Sequence, residues 1–168
     1  MDNEDYTNYK GKIGEKRMNL VYIAGPYRSP FIEDIDANIV RARRHHTFWI
    51  KEGFASICPH MNTMYMERVI SEDSIILPMD EEIISRCDIL VLQGLWCISA
   101  GTRVEMRKAE KSDLLILVEV ENNQSTGPYQ YHIYNDSSII VTPHKGLFMK
   151  EGEKELVTLE TLRNYRVA

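Results

Sequence analysis

The sequence predicts an α/β fold, a parallel sheet with helices on both faces. Three observations carry this. Short unbroken apolar runs recur, such as Ile89-Leu90-Val91-Leu92. A segment of helical period separates two of them, and the stretch Ser99-Ala100-Gly101-Thr102-Arg103-Val104-Glu105 opens a helix just after an apolar run. In such folds the chemistry lies where strands end and helices begin.

Taken in order, residues 1–18 are polar, rich in Asp, Asn, Lys and Gly, and read as an arm without a catalytic role. Residues 19–24 form a compact apolar strand ended by Gly25-Pro26. Residues 34–52 carry Ile35, Ile39, Ala42, His46, Trp49 and Ile50 at helical spacing and close on Gly53. Residues 54–58 are a second short strand. The Met-rich stretch 61–78 has no clear period and suits a pocket wall or lid. Residues 80–86 predict a short helix capped by Asp80, 88–92 a third strand, 102–111 a helix and 114–118 a fourth strand. This alternation predicts a Rossmann-like (flavodoxin-like) sheet with right-handed crossovers, spanning residues 19–120 as one domain. Residues 121–168 read as a C-terminal extension packed on that core. In it, 122–128 is a turn-rich loop, 129–134 and 138–142 pair as strands, and 156–165 forms a final helix.

Composition bounds the function. Hydrophobic residues make up 43% and charged residues 27% of 168, a globular balance suited to one domain. A net charge of -5 disfavours a nucleic-acid polymer as partner, since such binders rest on a dense basic face. Cys58, Cys87 and Cys97 form no CxxC pair, so neither a disulfide framework nor a metal site is expected. No apolar run approaches the ~18 residues that span a bilayer, so the expectation is a cytoplasmic chain without a membrane partner.

Three loops fall at the carboxyl ends of strands and should meet in one crevice: 25–30, the Cys58-Pro59-His60 corner and 93–101. Gly25, Arg28 and Ser29 suit a phosphate, offering backbone room, a charged fork and a hydroxyl, though the same letters make an ordinary turn. With a helix starting near Gly101 or Thr102, Glu105 falls in its first turn, where the helix dipole favours an ionised nucleophile; a carboxylate there is also routine capping. Asp80 reads equally as a cap, and Asp88 as a partner of turn amides. Paired acids at one crevice are nonetheless what glycosyl chemistry requires. Trp96 suits base stacking or core packing, and His45 and His46, beside Arg41, Arg43 and Arg44, read as a solvated or interface-facing patch.

The segment Val21-Tyr22-Ile23-Ala24-Gly25-Pro26-Tyr27-Arg28-Ser29, then Met79-Asp80, Cys87-Asp88 and Ser99 to Glu105 with Ala109, resembles the nucleoside 2-deoxyribosyltransferase superfamily. Within it the chain is most similar to DUF4406 proteins and to the 2'-deoxynucleoside 5'-phosphate N-glycosidases, over about residues 19–118. The resemblance implies that Glu105 attacks the anomeric C1' carbon to form a glycosyl-enzyme intermediate. Asp80 would then assist the departing base, and Tyr22 would orient the nucleophile. It also implies that Arg28, Ser29 and Ser99, with the loop at Gly25 and the turn at Gly101, meet a 5'-phosphate. Pro26 and Tyr27 depart from the relatives' smaller residues, and Pro26 lacks an amide donor. His60 resembles a Pro-His-Asn-Thr element and either touches substrate or is a buried hydrogen-bonded histidine. The implied substrate is a nucleoside 5'-monophosphate or related nucleotide, with no cofactor and no metal, in a homodimer or higher homo-oligomer. A non-catalytic nucleotide-sequestering module and an NAD-type N-glycosyl hydrolase stand as alternatives.

Overall fold

The computed structural model describes residues 17–70, 73–120, 129–142, 155–159 and 162. Most of the polar arm and the 122–128 loop lie outside the described residues. Four strands make the central sheet: β1 (Leu20–Ala24), β2 (Ala55–Ile57), β3 (Ile89–Leu92) and β4 (Leu115–Glu119), in the order β2-β1-β3-β4 and all parallel. β1 and β3 lie between neighbours and are covered on both faces, which is why their residues are almost uniformly apolar.

Helix α1 (Ile32–Lys51) covers one face. It buries Ile39, Ala42, His45 and Trp49, a stripe at helical spacing, against Val21, Ile23, Val91 and Leu117. It starts two residues before the expected Asp34, because Ser29 Oγ accepts the Phe31 N–H and donates to Asp34, organising the turn ahead of it. Gly53, at φ 85, ends it in a conformation that favours glycine. Helices α3 (Asp73–Ile84) and α4 (Ala100–Lys111) cover the opposite face, over Tyr22, Leu90, Leu92 and Ile116.

One expectation for the helices is corrected, and the stretch without clear period gains its elements. The Met-rich stretch holds a one-turn helix, α2 (Pro59–Asn62), a 3-10 turn (Met66–Arg68) and the start of α3. Asp80 is therefore an interior residue of α3, with Pro78 two residues before it, and not a cap; a proline inside the helix hides the true start from a sequence reading.

Beyond β4 the sheet continues through β5 (Tyr131–Ile133), β6 (Asp136–Thr142) and β7 (Glu155–Thr158), giving seven strands in one sheet. β5 is antiparallel to β4 and to β6, whereas β7 runs parallel to β6. The helix expected over 156–165 is thus a strand at its start, and among the described residues helical conformation appears at Leu159 and Leu162. Leu156, Leu159 and Leu162 mimic a helical stripe, but the open edge of β6 captures 155–158, and Leu159 and Leu162 are buried in the core under α1. Among the described residues, no helix is long and apolar enough to cross a membrane.

Candidate functional site

A cavity of about 490 Å³ opens at the carboxyl ends of β1, β2 and β3, on the α3 and α4 side of the sheet. The β1–α1 loop brings Gly25, Pro26, Tyr27 and Arg28 to it, α2 brings His60, α3 brings Asp80, and the start of α4 brings Ser99, Gly101 and Glu105. Each comes from a different turn of the α/β alternation, so the crevice is a product of topology.

Glu105 shares a face of α4 with Thr102 and Ala109, and this face is turned to the sheet. Tyr22 stands on β1 beneath it, fully buried, and its hydroxyl donates to Glu105 Oε1 at 2.7 Å. Tyr22 does not line the cavity; it reaches the site only through Glu105. Ser99 is the cap of α4, so Glu105 lies in the second turn and no acid occupies the first. The expectation that a first-turn dipole keeps it ionised is corrected. Burial raises Glu105 to about 8 and Asp80 adds to the rise, while the Tyr22 hydroxyl opposes it. Asp80, 5% exposed, is raised by burial to about 6. Burial likewise holds the Tyr22 hydroxyl well above its ordinary value, with Glu105 and Asp80 adding to it.

The expected phosphate group divides. Arg28 and Ser99 line the cavity. Ser99 Oγ accepts from the Thr102 N–H at 3.3 Å and from the Thr102 hydroxyl at 2.9 Å, leaving its own hydrogen to donate. The first amides of α4, at Ala100 and Gly101, have no acceptor within the helix. Ser29 is corrected: it does not line the cavity, and its hydroxyl is committed to Asp34 and the Phe31 amide. Gly25 lines the cavity, but its missing side chain is required by Gln93, whose Nε2 would lie 1.9 Å from an added Cβ.

His60 is held within the fold. Its Nε2 lies 2.8 Å from the Pro26 carbonyl, its ring meets Tyr27 edge-on, and burial lowers its pKa, so it donates to that carbonyl as a neutral imidazole. Of the two readings, a substrate contact or a buried hydrogen-bonded histidine, the structure shows the second, and His60 fastens the β1–α1 loop at the cavity wall. Asp88 is an anchor too, accepting from the Leu20 N–H and pairing with Arg17. Trp96 packs edge-on against Tyr134, away from the cavity.

The stretch 61–78, which suits a pocket wall in the sequence, supplies Thr63, Glu67, Ile76 and Leu77 to the cavity wall, though none of the four stands out individually. The stretch has no clear period, so its place at the wall is legible but not which of its side chains face the cavity. Sequence reasoning misread His45, which is fully buried on α1 with Nδ1 2.8 Å from the Tyr131 hydroxyl and Nε2 3.3 Å from Glu119 Oε1. Among the described residues, no group of three or more His, Cys, Asp or Glu side chains is gathered to hold a metal.

Residues 19–119 match the model of a family described as Domain of unknown function (DUF7768). The chain belongs to this family. The DUF7768 region contains β1 through β4 and every cavity residue named above, so fold core and candidate site coincide in it. β5 to β7 lie outside it. Comparison with curated proteins finds no match.

Proposed function

We propose that this chain cleaves or exchanges the N-glycosidic bond of a (deoxy)nucleoside 5'-monophosphate, with Glu105 as nucleophile. The observation that carries this reading is the buried Glu105 on the cavity wall, bonded from below by Tyr22 and electrostatically coupled to Asp80. Strongly shifted carboxyls gathered in one cavity are what acid–base and covalent chemistry employ. The order of motifs shared with the deoxyribosyltransferase superfamily supports the same roles.

Asp80 and Glu105 titrate as a unit. Between about pH 6 and about 8 the pair holds one proton and one negative charge. In the major arrangement the proton rests on Glu105; the reactive form is the minor one, with the charge on Glu105, where the Tyr22 hydroxyl stabilises it, and the proton on Asp80. Glu105 then attacks C1' as the bond to the base breaks, and Asp80 delivers its proton to the departing nitrogen. Water, or a second base, later displaces the sugar from Glu105 with net retention. Arg28, the Ser99 hydroxyl and the first amides of α4 are the donors for the phosphate. Fixing that remote group helps to place C1' over Glu105.

The test is chromatographic detection of free base after incubation with nucleosides, ribo- and deoxynucleoside 5'-monophosphates and NAD, beside Glu105→Ala. Base release from a monophosphate, lost in the variant, is expected. Release from NAD alone would move the substrate to a dinucleotide. Binding without release, even with acceptor bases added, would make the chain a nucleotide-sequestering module.

A further inference from the structure

We propose that Glu67 is a specificity-determining residue that admits a single phosphate beside Arg28 and rejects a longer polyphosphate; this rests on the nucleotide reading above. Glu67 and Arg28 line the same cavity, and Tyr27, the neighbour of Arg28 in the chain, joins them. The Tyr27 hydroxyl lies 3.2 Å from Glu67 Oε1 and 3.1 Å from Oε2, so its proton goes to that carboxylate. The same oxygen accepts the Tyr65 N–H at 2.7 Å. Both capacities of the phenol are therefore committed within the protein, and its function is to hold Glu67 in place.

The bracing extends further. Tyr65 sits at φ 60, a left-handed conformation uncommon for a tyrosine, and its hydroxyl donates to Asp36 on α1. Glu67 thus stands on a braced 3-10 turn, half-buried, with no ion pair to it among the described residues. A negative charge held on the wall of the same cavity as the guanidinium has a selective consequence. A monophosphate can meet Arg28 and Ser99 with one anionic group. Each further phosphate adds charge that Glu67 repels across a partly desolvated space.

The test is titration calorimetry at one ionic strength with the four 2'-deoxynucleoside 5'-monophosphates and the matching 5'-diphosphates. The proteins are the unaltered chain, Glu67→Gln and Glu67→Asp. Gln keeps an acceptor for Tyr27 without the charge, and Asp keeps the charge with a shorter reach. The unaltered chain should favour the monophosphate, and Glu67→Gln should shift the diphosphate-to-monophosphate ratio by about tenfold toward the diphosphate, while Glu67→Asp retains most of the preference. A ratio unchanged in folded Glu67→Gln, with monophosphate binding intact, overturns the role of Glu67 alone. If Glu67→Gln does not fold, loss of the preference in Glu67→Asp overturns it as well. Failure of the unaltered chain to bind any nucleotide overturns the nucleotide reading and this inference with it.

Discussion

Two glutamates lie near the carboxyl end of the sheet, on opposite faces, and burial has opposite outcomes for them. Glu119, at the end of β4, faces α1. Burial alone would raise it, yet His45, the Gly94 amide and Arg41 outweigh that and hold it down to about 2. Arg41 lies 3.0 Å from its Oε2, and the Gly94 N–H donates to the same oxygen at 3.0 Å. Glu105 has one donor, Tyr22, and a second acid nearby, and it rises to about 8. A buried carboxylate that is fully compensated is part of the architecture; one left uncompensated beside a cavity is, on the reading proposed above, the reactive group. The first cluster also ties β5 to the core, because His45 bonds Tyr131 and stacks on Tyr129 with centroids 4.1 Å apart.

The comparison breaks most visibly at Glu105. Glu105→Gln should lower base release by about 10⁴-fold while nucleotide binding persists, read by chromatography and calorimetry. The same variant should be more stable than the unaltered chain at high pH. With a folded value of about 8 against an ordinary 4.5, the native state keeps a proton that the unfolded chain releases. Stability of the unaltered chain therefore falls as pH rises between those values, and Glu105→Gln should gain about 2 to 4 kcal/mol at pH 8 and nothing below pH 4 in urea denaturation. Equal stability of the two proteins at pH 8 would remove the contrast with Glu119.

Glu119→Gln should act in the other direction, costing about 2 to 4 kcal/mol at pH 7 by leaving Arg41 and His45 without their carboxylate. The loss should shrink on acidification, since the folded value of about 2 means that Glu119 contributes stability above pH 4.5 and loses it as pH falls through 2. Nucleotide affinity should be unchanged; a fall in affinity would show that the two clusters are coupled.

Tyr22→Phe removes the only donor to Glu105 among the described residues. The alkaline limb of the pH–rate profile should move up by about one unit and the rate between the limbs fall about tenfold, because less of the singly protonated pair carries its charge on Glu105. An unmoved limb would assign Tyr22 to packing alone. The smallest effect is expected from Ser99→Ala, which deletes the α4 cap at a cost of about 1 kcal/mol in denaturation. A further loss of monophosphate affinity would mark Ser99 as a phosphate ligand as well.

The legible parts of the molecule are those in which local pattern and tertiary role agree. β1 and β3 are short apolar runs because they lie between neighbouring strands, and α1 shows its period because one face meets a flat sheet. Asp80 reads as a cap because the residues before it show no clear period, whereas the helix begins at Asp73 and runs through Pro78. Strand β7 reads as helix because Leu156, Leu159 and Leu162 keep a spacing of three, while its conformation is set by the unpaired edge of β6. His45 reads as part of a basic surface when its neighbours are Arg43 and Arg44; its actual surroundings come from β4 and β5, more than seventy positions on.

By itself the sequence determined the α/β alternation, the loops that end the parallel strands, and the residue types able to do glycosyl chemistry, because these follow from patterns within about twenty residues. Only the tertiary structure decided which of those residues meet. It joined Tyr22 to Glu105 across 83 positions, separated Ser29 from Arg28, and brought Glu67 to the cavity. It also decided the charge state of each acid, for that depends on which donors and cations the fold packs around a carboxylate once water has been removed.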